Sequence, residues 1–282
     1  MIRGNLMGRF RLCLVLLLPV LAACAEEPRK PEIDVPIPAL SYEASLDGKV
    51  TPITTPVIVR HTPYPAAAFE RLVLARATAN GEILTSTERV GGKTFAEASG
   101  DLVACTFIIE DISWNGRLPA STREFAETIK GLKVTFYVAP FGSVKKMEAS
   151  VTTARQEEIA TIQDHLRDDF SGDFALPPSG FRQGDEAPLR DSFPSQNGKH
   201  TNSVEGKATV RGKGTYRGRP VLVFEIMGTG MVNGEPMGLH AYRFLDVATG
   251  LWSHSELITE VTFTDNGTKV PLRFQIIDDV QF

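Results

Sequence analysis

Four turn signals cut residues 203–282 into strands, and they limit the possible folds more than any other feature of the chain. They are Arg217-Gly218-Arg219-Pro220, Asn233-Gly234, Ala248-Thr249-Gly250 and Asp265-Asn266-Gly267. Gly and Asn tolerate the positive φ angles that tight hairpins require. Between the signals, apolar and polar residues alternate with period two. Leu222, Phe224 and Ile226 share one face. So do Val270, Leu272, Phe274 and Ile276, and on the strand between them Leu257, Val261 and Phe263. The segment reads as an antiparallel meander with one apolar side. That side must be covered by a helix, by the rest of the chain or by a ligand.

Residues 51–175 read as a second β-rich half with two helices. Asn80-Gly81 marks a hairpin between Arg71–Ala79 and Glu82–Val90, although the Ala-rich stretch Ala66–Ala79 also fits a helix. Residues 102–112 and Lys133–Ala139 read as strands. Ser121 and Glu124 form a capping box, Phe125, Ile129 and Leu132 then share a helical face, and Gly131 ends that helix. Over 152–170, Ile159, Ile162, Leu166 and Phe170 recur at three-to-four spacing opposite Glu157, Glu158, Asp164, Arg167 and Asp168, which predicts an amphipathic helix. Residues 176–202, with Pro177, Pro178, Pro188 and Pro194, read as a connector. The expected fold class is α+β, mostly antiparallel β: a curved sheet or open half-barrel with one or two covering helices.

The start of the chain speaks to location. Arg3, Arg9 and Arg11 precede an apolar run from Leu12 to Ala23, interrupted by Pro19. Its 12 residues span roughly 18 Å as a helix, too little for a hydrocarbon core of about 30 Å. Residues 1–23 therefore read as a secretory signal. Residues 24–50, with Pro28, Pro31, Pro36 and Pro38 among charges, read as a stiff tether. The full chain carries a net charge of −4, and losing the three leader arginines makes the remainder more acidic. That excludes nucleic acid and anionic lipid as bulk electrostatic partners. Cys105 lies in the apolar run 102–109 and reads as a buried small hydrophobe.

No motif of known chemistry survives inspection. Residues 206–214, GKATVRGKG, lack the spacing, the Ser/Thr and the following helix of a phosphate loop. His240 and His254 lie on adjacent predicted strands. Pairing Asp246 with Leu251 sets them on opposite faces, about 10 Å apart along the strands. A one-residue slip restores a common face but leaves four rungs between them. One zinc ion with bonds of about 2.0–2.1 Å cannot span either gap. No cofactor, metal site or catalytic residue is expected from these patterns.

Two sets of short motifs carry resemblances. Leu21-Ala22-Ala23-Cys24 resembles a bacterial lipobox, which implies cleavage before Cys24, lipidation of its sulfur and anchoring in the envelope. Ala25 after the Cys implies the outer membrane by the sorting convention of such lipoproteins. The stretches Gly131–Val138 with Phe141-Gly142-Ser143-Val144, and Leu176-Pro177-Pro178 with Gly184-Asp185 and Asp246–Leu251, are similar to uncharacterised envelope proteins with two β-rich halves. More distantly they resemble the open half-barrels of LolA and LolB type. The expected function is thus a non-catalytic envelope lipoprotein that presents an apolar groove or docking face. Its candidate lining is Leu222, Phe224, Ile226, Leu257, Val261, Leu272 and Phe274. Its expected partners are the membrane, through Cys24, and a hydrophobic ligand or envelope protein. The alternatives are an envelope scaffold with a closed core, and a hydrolase in which His240, Arg243, His254 or Glu256 meet.

Overall fold

The computed structural model describes residues 39–79, 82–115, 130–142, 144–150, 176–194, 201–232, 234–265 and 268–282. Eleven strands lie among them: β1 (Tyr64–Ala79), β2 (Glu82–Ser99), β3 (Leu102–Asn115), β4 (Lys133–Val138), β5 (Val144–Ser150), β6 (Glu186–Pro194), β7 (Thr201–Tyr216), β8 (Arg219–Val232), β9 (Glu235–Asp246), β10 (Trp252–Asp265) and β11 (Thr268–Gln281). All pair antiparallel in one open sheet of order β5-β4-β3-β2-β1-β11-β10-β9-β8-β7-β6. Two meanders, β1–β5 and β6–β11, therefore share a single sheet. They join where β1 pairs with β11, from Ala68 opposite Gln281 to Ala77 opposite Leu272.

This corrects the α+β expectation. Among the described residues there is no α-helix, only a 3-10 turn at Glu43–Ser45. The helices expected over 121–131 and 152–170 lie outside the described residues, except that Lys130 and Gly131 form a turn leading into β4. The helical option for Ala66–Ala79 gives way to β1. Small residues permit either state there, and the ladders to β2 and β11 on both sides decide it. The stretch read as a connector contains β6. Its Pro188 and Pro194 fit because β6 is an edge strand with one ladder to satisfy.

The C-terminal meander follows the expected punctuation with longer strands, 12 residues in β9 and 14 in β8, β10 and β11. Tight turns explain the difference. Tyr216 pairs directly with Arg219, so Arg217 and Gly218 alone make the turn, with φ of 49° and 75°. Two positive φ angles define a turn whose twist matches that of the flanking strands. The β9–β10 turn is built around the buried Asp246. Its Oδ1 accepts from the Ala248 and Thr249 amides at 3.0 and 2.8 Å and from Thr249 Oγ1 at 2.9 Å. Arg219 Nε donates to its Oδ2 at 2.6 Å.

The register sorts side chains onto two faces. One is mostly apolar from β5 to β6, interrupted by a few buried polar side chains. Around β6–β11 and β1 it holds Val73, Leu189, Ile226, Leu239, Leu257 and Ile276 in one cluster. Around β1–β5 it holds Val90, Val103, Cys105, Val134 and Phe136 in another. At one end a third cluster, with Leu222, Phe224, Leu245 and Trp252, is covered by Ile53, Val59, Leu176 and Phe181. On the opposite face, Leu40, Tyr42, Leu46 and Val50 pack on Tyr216, Val221, Val223, Tyr242 and Phe244. Residues 39–50, read from sequence as part of a tether, are thus a strap bound to the sheet. Gly92 lies at a bulge between β2 and β3 where a Cβ would come within 1.9 Å of the Ile108 carbonyl oxygen, so the close approach there needs glycine.

Candidate functional site

All seven candidate lining residues fall on the apolar face. Ile226, Leu257, Val261 and Leu272 sit in the central cluster with Phe274 packed against it, while Leu222 and Phe224 belong to the end cluster. The face is closed: Ile226 is 0% exposed. Cys24 lies outside the described residues.

What divides the two groups is a polar row that the period-two pattern did not bring out. Arg71 on β1, Asp278 on β11, Ser255 on β10 and Arg243 on β9 are successive partners across four strands. Phe224 on β8 and Val90 on β2 continue the row at its two ends. Arg71 Nε donates to Asp278 Oδ1 at 2.5 Å, and its Nη2 to Oδ2 at 3.3 Å. Ser255 Oγ donates to the same Oδ2 at 3.1 Å. Arg243 is 3% exposed, with its guanidinium carbon 3.9 Å from the centroid of the Trp252 ring. Such stacking favours a cation over an indole face. Phe224 meets the same indole edge-on at 5.1 Å.

One rung further along the apolar face stands Glu88, between Trp114 on β3 and Val73 on β1. It is 5% exposed, and its Oε2 has no hydrogen-bond partner among the described residues. Burial raises its pKa, and the charge of Arg71 opposes the shift. Leaving such an acceptor unmet costs about 1–3 kcal/mol or more. Cys105 is buried in the same half, and burial pushes its thiol up to about 12, which keeps it unreactive.

The opposite face carries a second polar group. Tyr216, Tyr242, Phe244 and His254 form a cluster of rings with centroids 5.0–5.7 Å apart. Tyr216 donates to Asp279 Oδ1 at 2.6 Å, and Arg217 Nη2 reaches Oδ2 at 2.6 Å. Tyr242 donates to Glu256, whose other oxygen accepts from Gln275 at 2.6 Å. Burial, then the bonds to these carboxylates, raises both tyrosine pKa values. For Asp279 burial acts upward, but the bonds from His254 and Tyr216 and the charge of Arg217 outweigh it, and the pKa is lowered. A carboxyl held low in the fold contributes stability above its unfolded range and loses it as pH falls through the folded value. Asp279→Asn is therefore expected to lower the urea midpoint at pH 7. The deficit should shrink towards pH 3, below the ordinary aspartate value of about 3.9. A deficit that stays constant with pH would refute this role.

The histidine pair follows the slipped register. A bulge between Trp252 and His254 sets His254 opposite Phe244, while His240 pairs with Ile258. The two share a face, four rungs apart, about 13 Å. His240 Nε2 lies 2.8 Å from Glu225 Oε1, and His254 Nδ1 lies 3.3 Å from the Tyr216 hydroxyl. Glu256 is on that face and Arg243 on the other, so the four residues of the hydrolase alternative do not converge.

No family model and no curated protein sequence matches the chain. Among solved structures it is similar to lipovitellin, in a study of lipid–protein interactions, with 10% identity and a TM-score of 0.43 over 77% of this chain. The chain spans 25% of that protein's length. It is also similar to a DUF1329 family protein from Desulfovibrio piger, with 10% identity, a TM-score of 0.20, and 76% and 83% of the two chains covered. A third likeness is to an outer membrane lipoprotein-sorting protein domain from Vibrio parahaemolyticus, with 10% identity, a TM-score of 0.17, and 74% and 83% covered. These are distant likenesses.

Proposed function

We propose that the protein is a non-catalytic lipoprotein of the bacterial envelope, anchored through Cys24, that holds a hydrophobic ligand against the apolar face of its sheet. The observation that carries this reading is the extent of that face. Inward apolar side chains run across the single sheet, from Met147 on β5 to Leu189 on β6. The described covering segments, around Ile53–Val59 and Leu176–Phe181, reach only one end of it. A sheet with one apolar side needs a second layer; the chain itself buries this face here, and a ligand would replace part of that cover.

The test is native mass spectrometry of protein gently extracted from the producing cells. A lipid-sized adduct that leaves on activation is expected, along with acyl mass on Cys24. In Cys24→Ser the protein should move from the membrane to the soluble fraction. A bare sulfur with the leader still attached would overturn the anchoring. The closed state of the face, with Ile226 fully buried, favours a second reading, an envelope scaffold with a sealed core. Absence of any adduct would select it.

A further inference from the structure

We infer that the end of β3 carrying Trp114 is a proton-controlled flap: it is shut while Glu88 holds a proton and is released when Glu88 ionises, opening a way into the sealed apolar face. Its role as an entry rests on the ligand reading given above.

The flap begins where β3 loses its second ladder. β4 pairs with β3 from Val103 to Ile108, and the last bonds on that side join Ile109 to Gly131 and Leu132. From Glu110 to Asn115 the strand is held by β2 alone among the described residues, with one exposed ion pair beside it, Lys130 to Asp111 at 3.9 Å. The β2–β3 register shifts between Gly91 and Gly92, at the start of that stretch. A bulge bends a strand and breaks its ladder locally, so the overhang has a hinge. Beyond it the pairs run only from Asp111 opposite Gly91 to Asn115 opposite Thr87. Strand ends with few pairs open at the lowest cost in a fold.

Glu88 sits on the last rung but one, between Trp114 on β3 and Val73 on β1. It is buried, and its Oε2 meets no donor among the described residues. On this face β3 presents Trp114 and Ile112, which carry no charge. β1 presents Arg71, whose Nε and Nη2 are directed to Asp278 of β11. Glu70, Arg89 and Asp111 lie on the outer face. An ionised carboxylate shut in here lacks both water and a hydrogen-bond donor for Oε2, which costs more than a neutral carboxyl in the same place. Burial accordingly raises the pKa of Glu88 by more than the charge of Arg71 lowers it.

The sign follows. In the released state Glu88 is hydrated and titrates near the ordinary glutamate value of about 4.3. A carboxyl held higher when shut makes the shut form most favoured below that value. The advantage is lost as pH rises from there to the shut-form value, and the balance is level beyond it. Within that window each pH unit multiplies the released population by up to about ten. Release frees Trp114 from the apolar face and bares the edge of β2.

Hydrogen exchange of the full chain between pH 4 and 8 tests this, each rate divided by the intrinsic rate at that pH. Protection of the 110–115 amides should fall by up to about ten-fold per pH unit above about pH 4.3 and then level off. Protection of β9, paired on both sides, should stay level. Glu88→Gln should keep the 110–115 protection flat with pH; Glu88→Leu serves if the glutamine variant unfolds. Uptake of a pyrene-labelled hydrocarbon by delipidated protein should quicken over the same pH range in the wild type alone. Flat protection in the wild type, or a fall that persists in the variant, would overturn the flap. A fall abolished by the variant, with uptake at one rate at every pH, would overturn its role as an entry. No uptake at any pH would overturn the ligand reading and the entry with it, and leave the proton-controlled flap standing.

Discussion

Asp278→Ala is expected to destabilise the protein by about 3–5 kcal/mol, because it removes the carboxylate that pairs with a buried arginine. Arg71 and Asp278 are both buried, and Asp278 accepts two bonds from Arg71 and one from Ser255. Removing the carboxylate leaves a guanidinium whose hydration was lost on folding. The paired replacement Arg71→Met with Asp278→Leu removes both charges and fills the space. It should return the stability to near the wild-type value or above it. Urea midpoints at constant slope measure both. If Asp278→Ala cost less than about 1 kcal/mol, the pair would behave like an exposed ion pair, and the row would be open to water.

How much of this was legible in the sequence depends on what each residue had to compete with. The meander was legible because its turns are local: Arg217-Gly218 and Asp246–Leu251 close by contacts a few residues apart. The apolar face was legible because alternation survives in Leu222, Phe224, Ile226 and Leu272. β6 was missed because its prolines read as breakers, and only the edge position makes them tolerable. The polar row was missed for a different reason. Arg71, Arg243 and Asp278 occupy inward positions between apolar neighbours, Phe69 and Val73, Ala241 and Leu245, Ile276 and Val280. A strict period-two count on β1, β9 and β11 would have flagged all three. That they meet across strands depends on the β1–β11 join, a pairing of residues some two hundred positions apart that no local pattern encodes. The bulge before His254 is likewise a register choice invisible in composition.

That long-range join sets the cooperativity of the whole molecule, and Phe136 tests it. Phe136 on β4 is 1% exposed, faces Cys105 and Met147 across its neighbours, and meets Phe107 edge-on at 6.2 Å. Phe136→Ala should cost about 3–5 kcal/mol through lost burial and the cavity left behind. The site lies in the β1–β5 meander, four strands from β11. Two outcomes are physically distinct. If the meanders fold independently, only the first unfolds early. But separating them would strip the paired face of β11 from Leu272 to Gln281, leaving its backbone groups unpaired beside buried apolar side chains. The expected result is therefore one transition, shifted to lower urea with unchanged slope. The chain carries its own reporters, since its two tryptophans fall one in each meander, Trp114 on β3 and Trp252 on β10. Phe136→Ala combined with Trp114→Phe or Trp252→Phe should give coincident fluorescence transitions. If the Trp114 signal moved while the Trp252 signal stayed at its original midpoint, the join would be a docking of two domains, and the polar row that spans it would be an interface between them.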